Sequence, residues 1–198
     1  MRGPLEDGIV TISRVNATLT YPCNFMLVAS MNPCPCGFYG SKEKECTCMP
    51  QAISRYLSKI SGPLLDRIDI QVEVSPVKYK YLNYENKEET SSQIKERVNN
   101  ARKIQLERYK KEGIYSNSQL TPKMLSKYCA LGKEEKTLLE QAFNSLGLSA
   151  RAHGRILKVA RTIADLDSKE NIEVAHIAEA IQYRSLDKKY WNKEKSVI

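Results

Sequence analysis

LSARAHGRILKVARTIADL, residues Leu148–Leu166, has the most sustained periodicity in this chain of 198 residues. Ser149 is a helix-capping residue type, and after it Ile156, Leu157, Ala160, Ile163 and Ala164 recur at helical spacing, so one face is buried. Reading toward the N-terminus, Lys133–Leu146 forms a second helix that ends before Gly147. Thr121-Pro122 starts a third, to about Tyr128, by the capping-residue-then-proline rule. Ser91 and Ser92 can cap a fourth, from Gln93 to about Lys111, that stops near Gly113. Toward the C-terminus, a helix over about Val174–Arg184 carries Ile177, Ala178 and Ile181 on one face. Residues 91–198 are therefore expected to fold as an all-α bundle.

The N-terminal part reads as strands. Ile9–Ser13 alternates as IVTIS, and Ala17–Tyr21 follows a short polar turn. Phe25–Ala29 is a compact apolar run, and Ile68–Val74 alternates as IDIQVEV. The expectation is an antiparallel ribbon followed by two core strands, an α/β fragment over residues 1–76. Val77–Thr90, rich in Lys, Tyr, Asn and Glu, reads as a connector between the two parts.

No stretch approaches the roughly 20 consecutive apolar residues of a membrane span, and the opening MRGPLEDG is too polar for a secretory signal, so no membrane partner and a cytoplasmic location are expected. The net charge of +8 is uneven. Pro76–Ala130 holds 12 basic and 6 acidic residues, whereas Met1–Ser75 has 7 of each. That middle third suits either a polyanion or a solvated helix surface.

Of six cysteines, four form Cys34-Pro-Cys36 and Cys46-Thr-Cys48, and Gly37 and Gly40 let the loop between them turn. Two close thiolate pairs suit tetrahedral zinc, although C-x2-C is the commoner spacing. A redox or iron-sulfur role and incidental thiols stay open as alternatives. Disulfides are disfavoured, since Cys-x-Cys pairs cannot comfortably bond internally. A four-sulfur zinc site would be structural, with no coordination position left for a catalytic water. Cys23 and Cys129 read as core residues, and His153 and His176 as surface or core histidines.

Three segments carry a resemblance. LVASMNPCPCGFYG, Leu27–Gly40, reads as a strand ending in Asn32, like the sensor 1 strand of AAA+ ATPases. ISGPLLDRIDI, Ile60–Ile70, is similar to the segment that supplies an arginine finger, which puts Arg67 in that role. LSARAHGRILKVARTIADL resembles the lid helix whose sensor 2 arginine touches nucleotide, and the matching residue is Arg151. PLEDGIVTISR, the paired cysteines and IQYRSLDKKYW narrow the match to the YifB/ComM group of the magnesium-chelatase-like AAA+ family.

The resemblance implies a partial AAA+ core followed by a helical lid, with ATP and Mg²⁺ as cofactors of the full-length family. It implies a homo-hexameric ring, because an arginine finger reaches a neighbour's nucleotide. Branch migration of DNA is the implied activity, with Arg14 on the Ile9–Tyr21 ribbon as the DNA-contacting residue. Asn32 would position the attacking water, and Arg67 would meet charge developing on the transferred phosphoryl group.

Each residue has a plainer alternative. Asn32 suits a strand end, Arg67 lies between Asp66 and Asp69 as in a surface ion pair, and Arg155 and Arg161 share the helix of Arg151. G-x-x-x-x-G-K-[ST] and an acidic pair after an apolar strand are both missing from the sequence, so the nucleotide-gripping N-terminal half of the module is expected from elsewhere, and the chain alone is expected to be inactive. Two competing functions are a zinc-stabilised nucleic-acid-binding module without enzymatic activity and a magnesium chelatase subunit proper.

Overall fold

The computed structural model describes residues 2–75, 77 and 89–184. The expected connector and the closing IQYRSLDKKYW thus lie largely outside the described residues. The chain forms two compact units, the first ending at Ile68 and the second beginning at Asp69.

The first unit contains α1 (Arg2–Asp7), β1 (Ile9–Arg14), β2 (Ala17–Pro22), α2 (Pro50–Leu57) and α3 (Gly62–Leu65). β1 and β2 pair antiparallel from Ile9↔Pro22 to Arg14↔Ala17, the ribbon that the alternation predicts. Alternation places Thr11 against Thr20 and Ser13 against Thr18, each hydroxyl pair 3.2 Å apart, on one face. Val10, Ile12, Leu19 and Tyr21 share the other face, and Ile12, Leu19 and Tyr21 stay exposed.

The two expected core strands do not form. Among the described residues the only sheet is β1–β2, and Phe25–Ala29 and Ile68–Val74 are without strand pairing. Met26 and Val28 are 87% and 81% exposed, and Val72 and Val74 are 64% and 85% exposed. The physical reason is that apolar alternation records only a preference for extended backbone; a strand also needs a neighbour to complete its ladder. In Ile68–Val74 the backbone instead bonds outside any ladder, the Ile68 N–H to the Leu65 carbonyl at 2.9 Å and the Gln71 N–H to the Tyr183 carbonyl at 3.0 Å.

α2 was not expected from the sequence. Pro50 stands at its first turn, where a missing N–H costs nothing, and Ile53 and Leu57 fall one turn apart on its buried face. These two residues pack with Cys34.

The second unit holds α4 (Ser91–Tyr109), a 3-10 turn (Asn117–Gln119), α5 (Pro122–Tyr128), α6 (Lys133–Leu146), α7 (Ala150–Leu166) and α8 (Val174–Gln182). Ile156, Leu157, Ala160, Ile163 and Ala164 of α7 are buried against Tyr109, Leu120, Leu139, Ile172 and Ile177, as the periodicity predicts. Gly147 ends α6 with φ +62°, a conformation costly for residues with a Cβ. α4 corrects one expectation: Thr90, not Ser91 or Ser92, is its cap. Thr90 Oγ1 accepts from the Gln93 N–H at 3.3 Å while Gln93 Oε1 accepts from the Thr90 N–H at 2.8 Å, a reciprocal pair that puts both serines inside the helix.

Ser149 Oγ accepts from the Ala152 N–H at 3.2 Å, as expected of a cap. Ser149→Ala should cost about 1 kcal/mol of stability, read as a lower midpoint in denaturant with unchanged slope. Among the described residues no helix is long and apolar enough to cross a membrane.

Candidate metal centre and arginine positions

The Cys34–Cys48 loop brings its four cysteines together. Their sulfurs all lie within 4.8 Å of one another. Cys34 Sγ is 3.4 Å from Cys36 Sγ and 3.7 Å from Cys46 Sγ, and Cys36 to Cys46 is 3.5 Å. A tetrahedral thiolate site with metal–sulfur bonds of about 2.3 Å has sulfur–sulfur edges of about 3.8 Å. A disulfide would need about 2.05 Å, so the cluster is a set of free thiols with the separations of a metal site.

Local backbone geometry explains how so short a sequence achieves this. The Gly37 N–H bonds the Cys34 carbonyl at 3.1 Å, closing a turn that needs φ +85° at Gly37. The Tyr39 N–H reaches Cys34 Sγ at 3.3 Å. Cys34 is fully buried and packs on Ile53 and Leu57 of α2.

The electrostatics also suit a cation. The backbone bond from Phe38, assisted by the Cys34 and Cys48 side chains, draws the Cys36 thiol down to about 6 against the opposing effect of burial. The backbone bond from Cys48 lowers Cys46, but burial and the neighbouring sulfurs outweigh it and push that thiol up to about 12. The Cys36 thiolate is thus favoured while Cys46 and Cys48 resist ionising beside it, a repulsion that a bound cation relieves.

The other candidate residues are distributed. Asn32 is exposed, and its carboxamide lies beside Gly37, where a Cβ would stand 3.9 Å from Asn32 Cγ. Arg14 is exposed at the turn end of β1, opposite Ala17. Arg67 belongs to the first unit and pairs with Glu6 of α1. Its Nε donates to Glu6 Oε2 at 3.0 Å, its second terminal nitrogen bonds the same oxygen, and the Pro63 carbonyl accepts a third bond. Only 10% of the Arg67 side chain is exposed.

Residues 88–184 match the family described as Magnesium chelatase, subunit ChlI C-terminal, and residues 1–82 match Magnesium chelatase, subunit ChlI. The chain belongs to the magnesium-chelatase-like family. It is 45% identical over 187 residues to Competence protein ComM of Haemophilus influenzae and 40% identical over 189 residues to YifB of Escherichia coli. These alignments cover 94% and 95% of the chain. A relative from Mycobacterium tuberculosis, Rv2897c, is 32% identical over 93% of it. In each case the chain spans 36% of the relative's length.

In this magnesium-chelatase-like chain the three arginines of α7 have different surroundings. Arg151 is exposed in the first turn. Arg155 pairs with Asp69. Arg161 is interior, bonding Asp165 Oδ1 at 3.1 Å and the Lys169 and Glu170 carbonyls at 2.6 and 2.7 Å. His176 has a structural position: its Nδ1 accepts from the Glu173 N–H at 2.9 Å, and Asp167 lies 3.2 Å from Nε2. Cys129 is buried as expected, and Cys23 is half-buried.

Two polar groupings lie beyond the residues that the sequence singles out. Asp165 receives Arg108, Arg161 and Asn117 inside the bundle. Its signal was available, since Arg161 and Asp165 sit one helical turn apart on the apolar face of α7. Glu6 as the partner of Arg67 left no such signal, because 61 residues separate them.

Proposed function

We propose that this chain is the sensor and lid portion of a ring-forming ATPase that remodels DNA. Asn32, Arg67 and Arg151 are its share of the nucleotide site, Arg14 a contact to DNA, and polypeptide outside the chain the source of the phosphate-gripping loop and the Mg²⁺ ligands. Membership of the magnesium-chelatase-like family carries the nucleotide reading, and similarity to a protein named for competence supports the link to DNA. Within α7, Arg151 is the residue proposed for a phosphate because it stands where the resemblance places the sensor 2 arginine of the lid helix. Its place in the first helical turn suits that role, since an arginine there is disfavoured by the helix dipole unless an anion is near.

The roles follow from charge and geometry. Phosphoryl transfer asks the protein mainly for positioning and for positive charge where negative charge develops. The Asn32 carboxamide can orient a water by donating and accepting at once. Arg67 supplies a planar guanidinium, and for it to act on a neighbouring subunit the Glu6 pair must open. Zinc is the ion proposed for Cys34, Cys36, Cys46 and Cys48, because a d¹⁰ cation accepts the tetrahedral sulfur cage without redox demands. Four sulfurs fill its coordination, so its contribution is to the fold.

The test is a chimera in which this chain replaces the matching region of Haemophilus influenzae ComM. It should turn over ATP with Mg²⁺, whereas the chain alone should not. Arg151→Ala should raise KM for ATP by about 10-fold or more, and Asn32→Ala should lower kcat by about 10²-fold. A chimera whose turnover ignores both substitutions would contradict the proposal. Strong, salt-sensitive DNA binding by the chain alone, with no turnover in the chimera, would favour the non-enzymatic module.

A further inference from the structure

We infer that the four-cysteine metal site holds Asn32 in place, so that metal occupancy sets the position of the carboxamide. The inference rests on the reading of Asn32 as part of a nucleotide site and adds a dependence that the reading does not contain. Two links join the residue to the sulfurs. The first is covalent: Asn32 is separated from Cys34 by Pro33 alone. Proline fixes its own φ and restricts the residue before it to extended backbone, so little freedom separates Asn32 from the first sulfur ligand. The second is proximity: a Cβ placed on Gly37 would stand 3.9 Å from the Asn32 carboxamide carbon, at the turn that the Gly37 N–H closes onto the Cys34 carbonyl.

Upstream, the segment is anchored where the Cys23 N–H bonds the Gly8 carbonyl at 2.7 Å, nine residues before Asn32. No sheet ladder passes through residues 23–32 among the described residues, and Met26, Val28 and Met31 are exposed. The Cys34 end, by contrast, is buried and packed on Ile53 and Leu57. That core is small, and a small core of this kind commonly depends on a metal for its order. Without the ion, four sulfurs within 4.8 Å of one another lose the atom that would join them, and the turn behind the carboxamide loses its anchor. Asn32 is therefore a residue positioned by the metal site, not a ligand to it.

Nuclear magnetic resonance on the intact chain tests this directly. The zinc-loaded chain should carry about one ion per molecule, and the Asn32 side-chain amide should show its own dispersed pair of signals. Cobalt(II) in place of zinc should give thiolate charge-transfer absorption and shift or broaden those signals through its unpaired electrons. Chelation should collapse them to the position of an unstructured asparagine while signals from α6, α7 and α8 stay unchanged. Cys48→His, which keeps a zinc ligand, should retain the ion and the Asn32 signals, and Cys48→Ser should weaken both.

Failure to bind an ion would overturn the inference. So would a bound ion whose removal leaves the Asn32 signals where they were, which points to a loop ordered by packing alone. If the ion fixes Asn32 but Asn32→Ala leaves turnover of the chimera unchanged, the positioning stands and the nucleotide role of Asn32 falls.

Discussion

Arg67→Ala in the ComM chimera is expected to lower ATP turnover by about 10³- to 10⁵-fold, the range associated with loss of an arginine finger. Stability should change far less. Arg67 is largely buried but Glu6 is 35% exposed, so water can reach the carboxylate left behind and the loss should be on the order of 1 to 3 kcal/mol. The two roles can therefore be separated. Glu6→Gln removes the partner charge and keeps the finger, so it should leave turnover within a few-fold of the parent. Arg67→Lys keeps the charge and loses the planar fork, and should recover little. If Arg67→Ala and Glu6→Gln lowered turnover equally, the pair would be the functional unit, and Arg67 would be a structural residue of the first unit.

Asp165→Ala should destabilise the second unit by about 3 to 5 kcal/mol, the cost of leaving buried positive charge without its partner. The Asp165 side chain is fully buried, and its oxygens accept from Arg108 at 2.9 Å, Arg161 at 3.1 Å and Asn117 at 2.8 Å. Burial lowers the Arg161 guanidinium below the ordinary arginine value, and the Asp165 carboxylate opposes that shift. Removing the carboxylate leaves Arg161 only its bonds to the Lys169 and Glu170 carbonyls. It also takes a partner from Asn117, whose Oδ1 accepts from the Tyr109 hydroxyl at 2.6 Å, so damage should spread from α7 to α4 and the 3-10 turn. Chemical denaturation followed by circular dichroism measures the loss. A change below about 1 kcal/mol would mean that water or a shifted arginine replaces the carboxylate.

The helical part was legible because its signals are local. Ser149, Thr121-Pro122 and Gly147 mark boundaries within a turn of where the helices start and stop, and the apolar positions of α7 lie on one buried face. The ribbon was legible for the same reason, with alternation on both sides of a short turn. Phe25–Ala29 and Ile68–Val74 differ from expectation because a strand is defined by its neighbour, which no local pattern reveals. For α2 the local signal is short, a start at Met49-Pro50 and a one-turn repeat of Ile53 and Leu57. The cysteine cluster was recognisable from two pairs in one loop. The Glu6 partner of Arg67 was not, since it depends on how the N-terminal helix meets α3.

The most direct measurement of the central proposal is a mixing experiment with the chimera. One subunit carries Arg67→Ala, the other has its phosphate-gripping loop disabled, and neither should turn over ATP alone. Mixed rings should recover a fraction of parental turnover, because an intact Arg67 then faces a neighbour's intact nucleotide site. Recovery that never exceeds the two separate subunits would contradict the assignment of Arg67 as a finger acting between subunits.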